Sequence, residues 1–246
     1  MNKNEDINPS FKQESYWSEA WIRHINNYLV APPRCGFWLE SHFLQKYNIL
    51  EIAGGSCRDS RYLVTKGYEA VGSDFDQKTL EYLDKNHPAQ DFKLLKEDAF
   101  KFSFKKNEFD VSFSNGFWVL FDDDEDINAL VNEQARVTKK YLVSLVHNSE
   151  NKKLLDAFKK KSLTDNLYNI RFFNKSELLE ILKKVNFSYK SISISKFGGP
   201  IDKLLSNKIG VKSKALHNLL KKLVPLLYKY QPWSMVERIV IVIELD

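Results

Sequence analysis

The sequence predicts a single α/β domain across its 246 residues: a doubly wound, mostly parallel seven-stranded sheet, with helices in front and a helical insert before the last strand. Three observations predict it. β-rich runs alternate with helical runs of about 10 to 15 residues, which calls for right-handed crossovers and a parallel sheet. A turn of small residues, "EIAGGSCRDSRYL", joins the first strand to a helix. The last two strands are joined by a long segment in place of a simple crossover helix.

In chain order, residues 15 to 29 carry Trp17, Trp21, Ile25 and Leu29 at intervals of four, the spacing of an amphipathic helix. "APPRCG" breaks it and "FWLESHFLQKY" forms a second short helix, so residues 1 to 46 read as a helical cap. "NILEIA" is a buried strand, and residues 57 to 66 form a helix whose end suits Gly67 in the left-handed position. "YEAVGSD" is the second strand, and Asp76 is placed to cap "QKTLEYLDKN". Strands "FKLLKED" and "FDVSFSN" follow. The acidic "DDDED" then leads into helix "INALVNEQARVTKK"; a metal site is conceivable there, but a solvated helix start fits better, since acids favour the first turn. "YLVSLVH" is the fifth strand, residues 151 to 161 a lysine-rich helix, and "NKSELLEILKKVNF" a helix capped by Asn174. "SYKSISISKF" and "MVERIVIVIELD" complete the sheet.

Hydrophobic residues make up 43% and charged residues 28% of the chain, the balance of a soluble globular domain. No apolar run approaches the ~18 to 20 residues of a membrane span, and the polar start "MNKNEDINPSFKQES" does not read as a signal peptide. Cys35 and Cys57 lack metal-site spacing and are expected as reduced thiols in a cytoplasmic protein.

The turn after the first strand is bracketed by acids, Glu51 before it and Asp74 and Asp76 beyond the next strand. A dinucleotide turn would need G-x-G-x-x-G, whereas the register from Gly54 gives Ser56 and Asp59; no P-loop lysine is present either. Phosphate is therefore excluded as its ligand. A cationic nucleoside, S-adenosylmethionine, fits better: small residues admit its amino-acid and ribose portions, and an acid at the end of the second strand accepts the ribose hydroxyls. Asp74 stands 23 positions after Glu51, near the spacing of such an acid.

On these residues the chain resembles the class I S-adenosylmethionine-dependent methyltransferases. "LEIAGGSCRDSRYL" is similar to their first motif, acid-x-G-x-G-x-G, through Glu51, Ala53, Gly55 and Cys57, with Gly54 between. Ala53 and Cys57 replace the first and third glycines: Ala53 is tolerable at negative φ, and Cys57 is the residue that could crowd the ligand. The resemblance implies Asp74 as ribose ligand, Phe75 as a wall of the adenine slot, Asp98 and Ala99 at the adenine edge, and Asn115 and Gly116 beside the methyl group. It also implies an antiparallel last strand. The connection of the final pair is expected at the edge opposite the cofactor.

Methyl transfer needs a base only when the acceptor must lose a proton early. Val119 and Leu120 lie where many small-molecule members have histidines, which leaves His147, at the end of the fifth strand, as the candidate catalytic base. Asn148 beside it, and Tyr16, Trp17 and His24 on the front helix, are candidate substrate contacts. Residues 199 to 234 hold seven lysines and one aspartate, +6 against +5 for the whole chain, so the remainder sums to −1. Six leucines between Leu216 and Leu227 form a stripe on that segment, as an ordinary packed helix, an anionic-substrate clamp or a peripheral membrane contact. The function expected is methyl transfer to a small-molecule or lipid-linked acceptor, at oxygen, on a sugar, glycolipid or secondary metabolite. An RNA methyltransferase and a non-catalytic binding protein on this fold are the alternatives; nothing resembles an RNA-reading module, which counts against nucleic acid.

Overall fold

Seven strands pair in the order β3-β2-β1-β4-β5-β7-β6, and the first five are mutually parallel. The computed structural model describes residues 14–206 and 214–246. The strands are β1 (Asn48–Ile52), β2 (Glu69–Asp74), β3 (Lys93–Lys96), β4 (Phe109–Asn115), β5 (Thr138–His147), β6 (Tyr189–Phe197) and β7 (Arg238–Leu245). The helices are α1 (Glu14–Val30), α2 (Arg34–His42), α3 (Arg58–Val64), α4 (Gln77–Asn86), α5 (Asp124–Val137), α6 (Lys152–Ser162), α7 (Lys175–Leu182), the single turn α8 (Lys203–Ser206) and α9 (Lys214–Leu227). Every strand and crossover helix expected from the sequence is present, with shifted ends; α2 begins at Arg34, inside the stretch read as a break.

Alternation along the strands feeds two cores. In β5, Val143 and Leu145 pack with Phe37, Trp38, Leu63, Val224 and Tyr228 on the side of α2, α3 and α9. Leu142 and Val146 face the other way, with Ile127, Val131, Leu178 and Ile181 of α5 and α7. A strand buried on both faces is what a doubly wound sheet requires. The caps follow the sequence. Asp76 accepts from Thr79 N at 3.0 Å, Asn174 and Glu177 form a capping box, and Gly67 has φ +81°. In the acidic loop, Asp123 caps α5 by accepting from Glu125 N at 2.8 Å, and Arg171 pairs with Asp124 at 2.8 Å.

β7 runs antiparallel to both β5 and β6, so β6 is parallel to β5. This corrects the expected position of the insert. β6 ends at Phe197 and β7 begins at Arg238, and both pair at the end of the sheet where β5 ends with His147. The connection thus starts and finishes at the strand C-terminal rim, where ligands of open α/β sheets bind. Its chain is anchored there: Tyr228 Oη donates to Asp202 at 2.6 Å, and Arg34 pairs with Asp202 and with Glu237.

Candidate active site

β1 and β4 are neighbours in the sheet but not in sequence, and the chain leaves them in opposite directions, making a crevice at their C-terminal ends. Across it runs a cavity of about 600 Å³. Its acidic end is walled by Glu51, Ala53, Gly54, Asp74, Phe75, Asp98 and Ala99. Its other end is walled by Phe117, Leu120, Phe158, Tyr168, Ile170, His147 and Arg238, with Asn115 and Gly116 between.

The turn after β1 alternates left-handed residues: Ala53 at φ +50°, Gly55 at +54° and Cys57 at +48°. Ala53 therefore lacks the negative φ that would make its methyl group harmless, and it carries the strain of a left-handed non-glycine residue. Cys57 does not crowd the cavity. Its Sγ points back into the sheet, where a Cβ on Gly72 would come within 2.6 Å of it. One amide of the turn and one of the following helix α3 are spent on carboxylates. Gly55 N donates to Asp74 Oδ2 at 2.7 Å, and Ser60 N donates to Glu51 Oε2 at 2.9 Å, while Ser60 Oγ bonds the same oxygen. Part of the acid around the turn thus holds the turn, and those donors are closed to phosphate. Gly55 serves through that amide and is not in the cavity wall.

Asp74 is 8% exposed and keeps its other oxygen on Asp76 N at 3.0 Å. Burial raises its pKa, and the backbone hydrogen bonds act against that. Glu51 is pushed up to about 8, first by burial and then by the charge of Asp59, with the Ser60 hydrogen bonds opposing. Asp98 accepts from Phe100 N at 2.9 Å, and Lys96 Nζ lies 5.8 Å from the Phe75 ring centroid at the rim.

A polar chain links the two ends. Arg58 donates to Asp59 Oδ2 at 3.2 Å, Asn115 Nδ2 donates to the same oxygen at 3.2 Å, and the Arg238 guanidinium donates to Asn115 Oδ1. Asp59 is pinned further by Gly36 N at 2.9 Å. His147, opposite Arg238 in the β5–β7 ladder, is 7% exposed and packs tilted against the rings of Phe158 and Phe172, with centroids 5.0 and 5.2 Å away. Its Nδ1 is buried without a partner. Its pKa lies well below the ordinary histidine value, mainly through burial and then through Arg238 and Arg34.

Asn148 and His24, expected as substrate contacts, are not in the cavity wall. Asn148 donates to Trp233 O at 2.8 Å and Val236 O at 3.0 Å and accepts from Glu150 N at 3.1 Å, so its amide ties the rim together. His24 bonds Asp165 at 3.1 Å, joining α1 to the turn that carries Tyr168. Tyr16 and Trp17 belong to α1, but their side chains lie outside the described residues. The α1 residue in the wall is Tyr28, one turn on from His24, and Ser18 fastens α1 to Asp76 at 2.6 Å. Tyr28, Arg58, Phe158, Tyr168 and Arg238 were not found from the sequence. Only Arg238 left a signal there, as the charge opening a strand whose next five residues are apolar.

Residues 49–141 match a family described as "Methyltransferase domain", a span that holds the acid-bracketed turn, Asp74, Asp98 and Asn115. Those residues form a methyltransferase domain, of the class I S-adenosylmethionine-dependent kind. The methyltransferase has the fold of a SAM-dependent methyltransferase from Thermotoga maritima, with 15% identity, 94% of this chain and 99% of that one covered, and a TM-score of 0.60. A second, from Archaeoglobus fulgidus, aligns at 14% identity and TM-score 0.55, covering 94% of both chains. Phosphoethanolamine N-methyltransferase 2 of Haemonchus contortus, solved with phosphomonomethylethanolamine and S-adenosylhomocysteine, aligns at 14% identity and TM-score 0.59, covering 94% of this chain and 58% of that one. No curated protein matches the chain in a sequence search. The residues of the methyltransferase suit its cofactor. Three carboxylates, Glu51, Asp74 and Asp98, wall one end of the cavity, and a Cβ on Gly116 would meet nothing within 4 Å, which leaves room in the wall between the two ends.

Proposed function

We propose that the methyltransferase modifies a small or lipid-linked acceptor held in the aromatic end of the cavity. The observation that carries this reading is the continuity of the cavity: one space of about 600 Å³ reaches from Asp74 to His147 and Arg238, within the ~300 to 1,000 Å³ typical of small-molecule sites. Asp74 would hold the ribose hydroxyls, Glu51 the ammonium group, and Phe75, Asp98 and Ala99 the adenine. S-adenosylmethionine supplies an electrophilic methyl group on a sulfonium. The chain supplies alignment and a dry enclosure, the two effects on which an in-line displacement depends most.

His147 is poorly suited to be the base. Protonation would place a second cation beside Arg238, and the Nδ1–H would have no acceptor in its sealed position. It serves better as a neutral hydrogen-bonding group facing the acceptor. The nucleophile is then one that needs no early proton removal, a neutral amine or an oxygen already ionised, and a sugar hydroxyl fits this end less well. Incubation with methyl-labelled cofactor and a cell extract split into lipid, small-molecule and RNA fractions tests this. Label is expected in the first two fractions, and label confined to RNA would sink the reading.

The lipid-linked form of the acceptor is favoured by α9. Val224 and Tyr228 are buried against the domain, and Lys221 lies over the rings of Phe37 and Tyr62 at 5.3 and 6.0 Å. Leu219, Leu223 and Leu226 stay 52, 41 and 46% exposed on another face, beside exposed Lys222. An apolar face flanked by lysines, in a segment of charge +6, matches an anionic lipid surface, and the helix is attached to the active-site rim. No described helix is long and apolar enough to cross a membrane.

A further inference from the structure

The cations of the rim are not equally neutralised. Arg34 is held by Asp202 and Glu237, and Arg58 by Asp59. Arg238 has no carboxylate within ion-pair distance among the described residues, and its one hydrogen-bond partner is the neutral amide of Asn115. Its remaining N–H groups therefore have no protein acceptor, although the side chain lines the cavity. The nearby acids are occupied: Asp59 with Arg58 and Asn115, Asp165 with His24, Glu237 with Arg34. An uncompensated guanidinium beside the position of a sulfonium is electrostatically costly unless an anion lies between the two.

The neighbouring groups are donors as well. With Nδ1 of His147 sealed and unpartnered, the proton of the neutral ring belongs on Nε2, because a buried N–H without an acceptor costs more than a bare lone pair. Tyr168 completes this end of the wall with a phenol group. Donors without acceptors form a site for an anionic oxygen group.

Building on the methyl-transfer reading, we infer that the acceptor carries a carboxylate or phosphate group, received by Arg238 with His147 and Tyr168 at the aromatic end of the cavity. The group is a handle that orients the acceptor against Asn115 and Gly116. It also makes the loaded site neutral by lying between the cofactor's sulfonium and Arg238. The shared chemistry, an anion with planar or tetrahedral oxygens, matches the fork of an arginine.

The test uses protein already saturated with S-adenosylhomocysteine, titrated with inorganic phosphate and separately with benzoate at constant ionic strength, with sodium chloride as reference. Calorimetry and thermal melting report binding. One of the two anions is expected to bind and raise the melting temperature above the chloride control, and which one does so tells phosphate from carboxylate. Arg238→Gln should weaken that anion by roughly tenfold or more while S-adenosylhomocysteine still binds within about threefold. Arg238→Lys should recover part of the loss. Should Arg238→Gln fail to fold, Tyr168→Phe is expected to weaken the anion by several-fold. Three results would overturn the inference: neither anion exceeding chloride on wild-type protein, undiminished binding to Arg238→Gln (or to Tyr168→Phe where it stands in), or anions that bind only protein free of S-adenosylhomocysteine, which would assign the site to the cofactor's own carboxylate. Failure of S-adenosylhomocysteine to bind at the outset would instead remove the methyl-transfer reading.

Discussion

Replacing His147 by phenylalanine should make the protein less sensitive to acid. The ring is 7% exposed, has an unpartnered Nδ1, and sits beside Phe158 and Phe172, so a phenyl ring loses no hydrogen bond from Nδ1 and keeps the aromatic packing. Burial, Arg238 and Arg34 hold its pKa well below the ordinary 6.5. The sign follows from proton counting: below pH 6.5 the unfolded chain takes up a proton that the folded chain refuses, so stability is lost as pH falls. Each pH unit is worth about 1.36 kcal/mol, so pH 5.0 costs wild type at most about 2 kcal/mol relative to pH 7 and costs the variant nothing through this position. Urea unfolding of both proteins at pH 7.0 and 5.0 gives the four free energies required. Other titrating groups cancel in the double difference, which should change in favour of the phenylalanine variant by up to about 2 kcal/mol. A difference that is the same at both pH values would show that His147 protonates freely in the folded state. The argument for it as a neutral donor, and against it as the base, would then fall.

Cofactor binding should expel a proton from Glu51, whose free-protein pKa is pushed up to about 8 by burial and Asp59; affinity should rise with pH toward that value and level off above it, and calorimetry in buffers of different ionisation enthalpy would detect the released proton. Ala53→Gly should stabilise the fold by about 1 kcal/mol by relieving a left-handed alanine at φ +50°, measured by urea midpoint at unchanged slope. Wild-type protein should sediment with vesicles containing phosphatidylglycerol and not with neutral vesicles. Leu219→Ser with Leu223→Ser should release it, since a fully buried leucine is worth roughly 1.5 to 3 kcal/mol. Indifference of wild type to acidic vesicles would leave α9 as a solvated face.

Elements and crossovers were legible because each depends on local chemistry: β-branched runs buried on both faces, Asp76 and Asn174 as caps, Gly67 after a helix. The acidic end of the cavity was legible for a related reason. The turn and Asp74 are 19 to 23 positions apart and connected by a single crossover, so spacing alone brings them together. The aromatic end was not. Tyr28, Phe158, Tyr168 and Arg238 meet across more than 200 positions, and no short motif encodes their convergence. Asn148 misled because adjacency to His147 says nothing of direction once the strand has ended. At Ala53 the expected negative φ did not hold: the turn has a left-handed backbone there, and the alanine adopts it at φ +50°. The position of the insert followed from strand direction, which is a property of the sheet and has no signature in the connecting residues.

The most direct test of cofactor recognition is calorimetric titration of wild type and Asp74→Asn with S-adenosylhomocysteine. Asp74 lines the acidic end of the cavity, and an amide there keeps the size of the side chain while removing its charge. Wild type should bind saturably, and the variant should lose about 1.5 to 3 kcal/mol, roughly 10- to 150-fold in affinity, with its fold intact by circular dichroism. No binding by wild type at high micromolar ligand, or equal affinity in the folded variant, would contradict the assignment of this cavity to the cofactor.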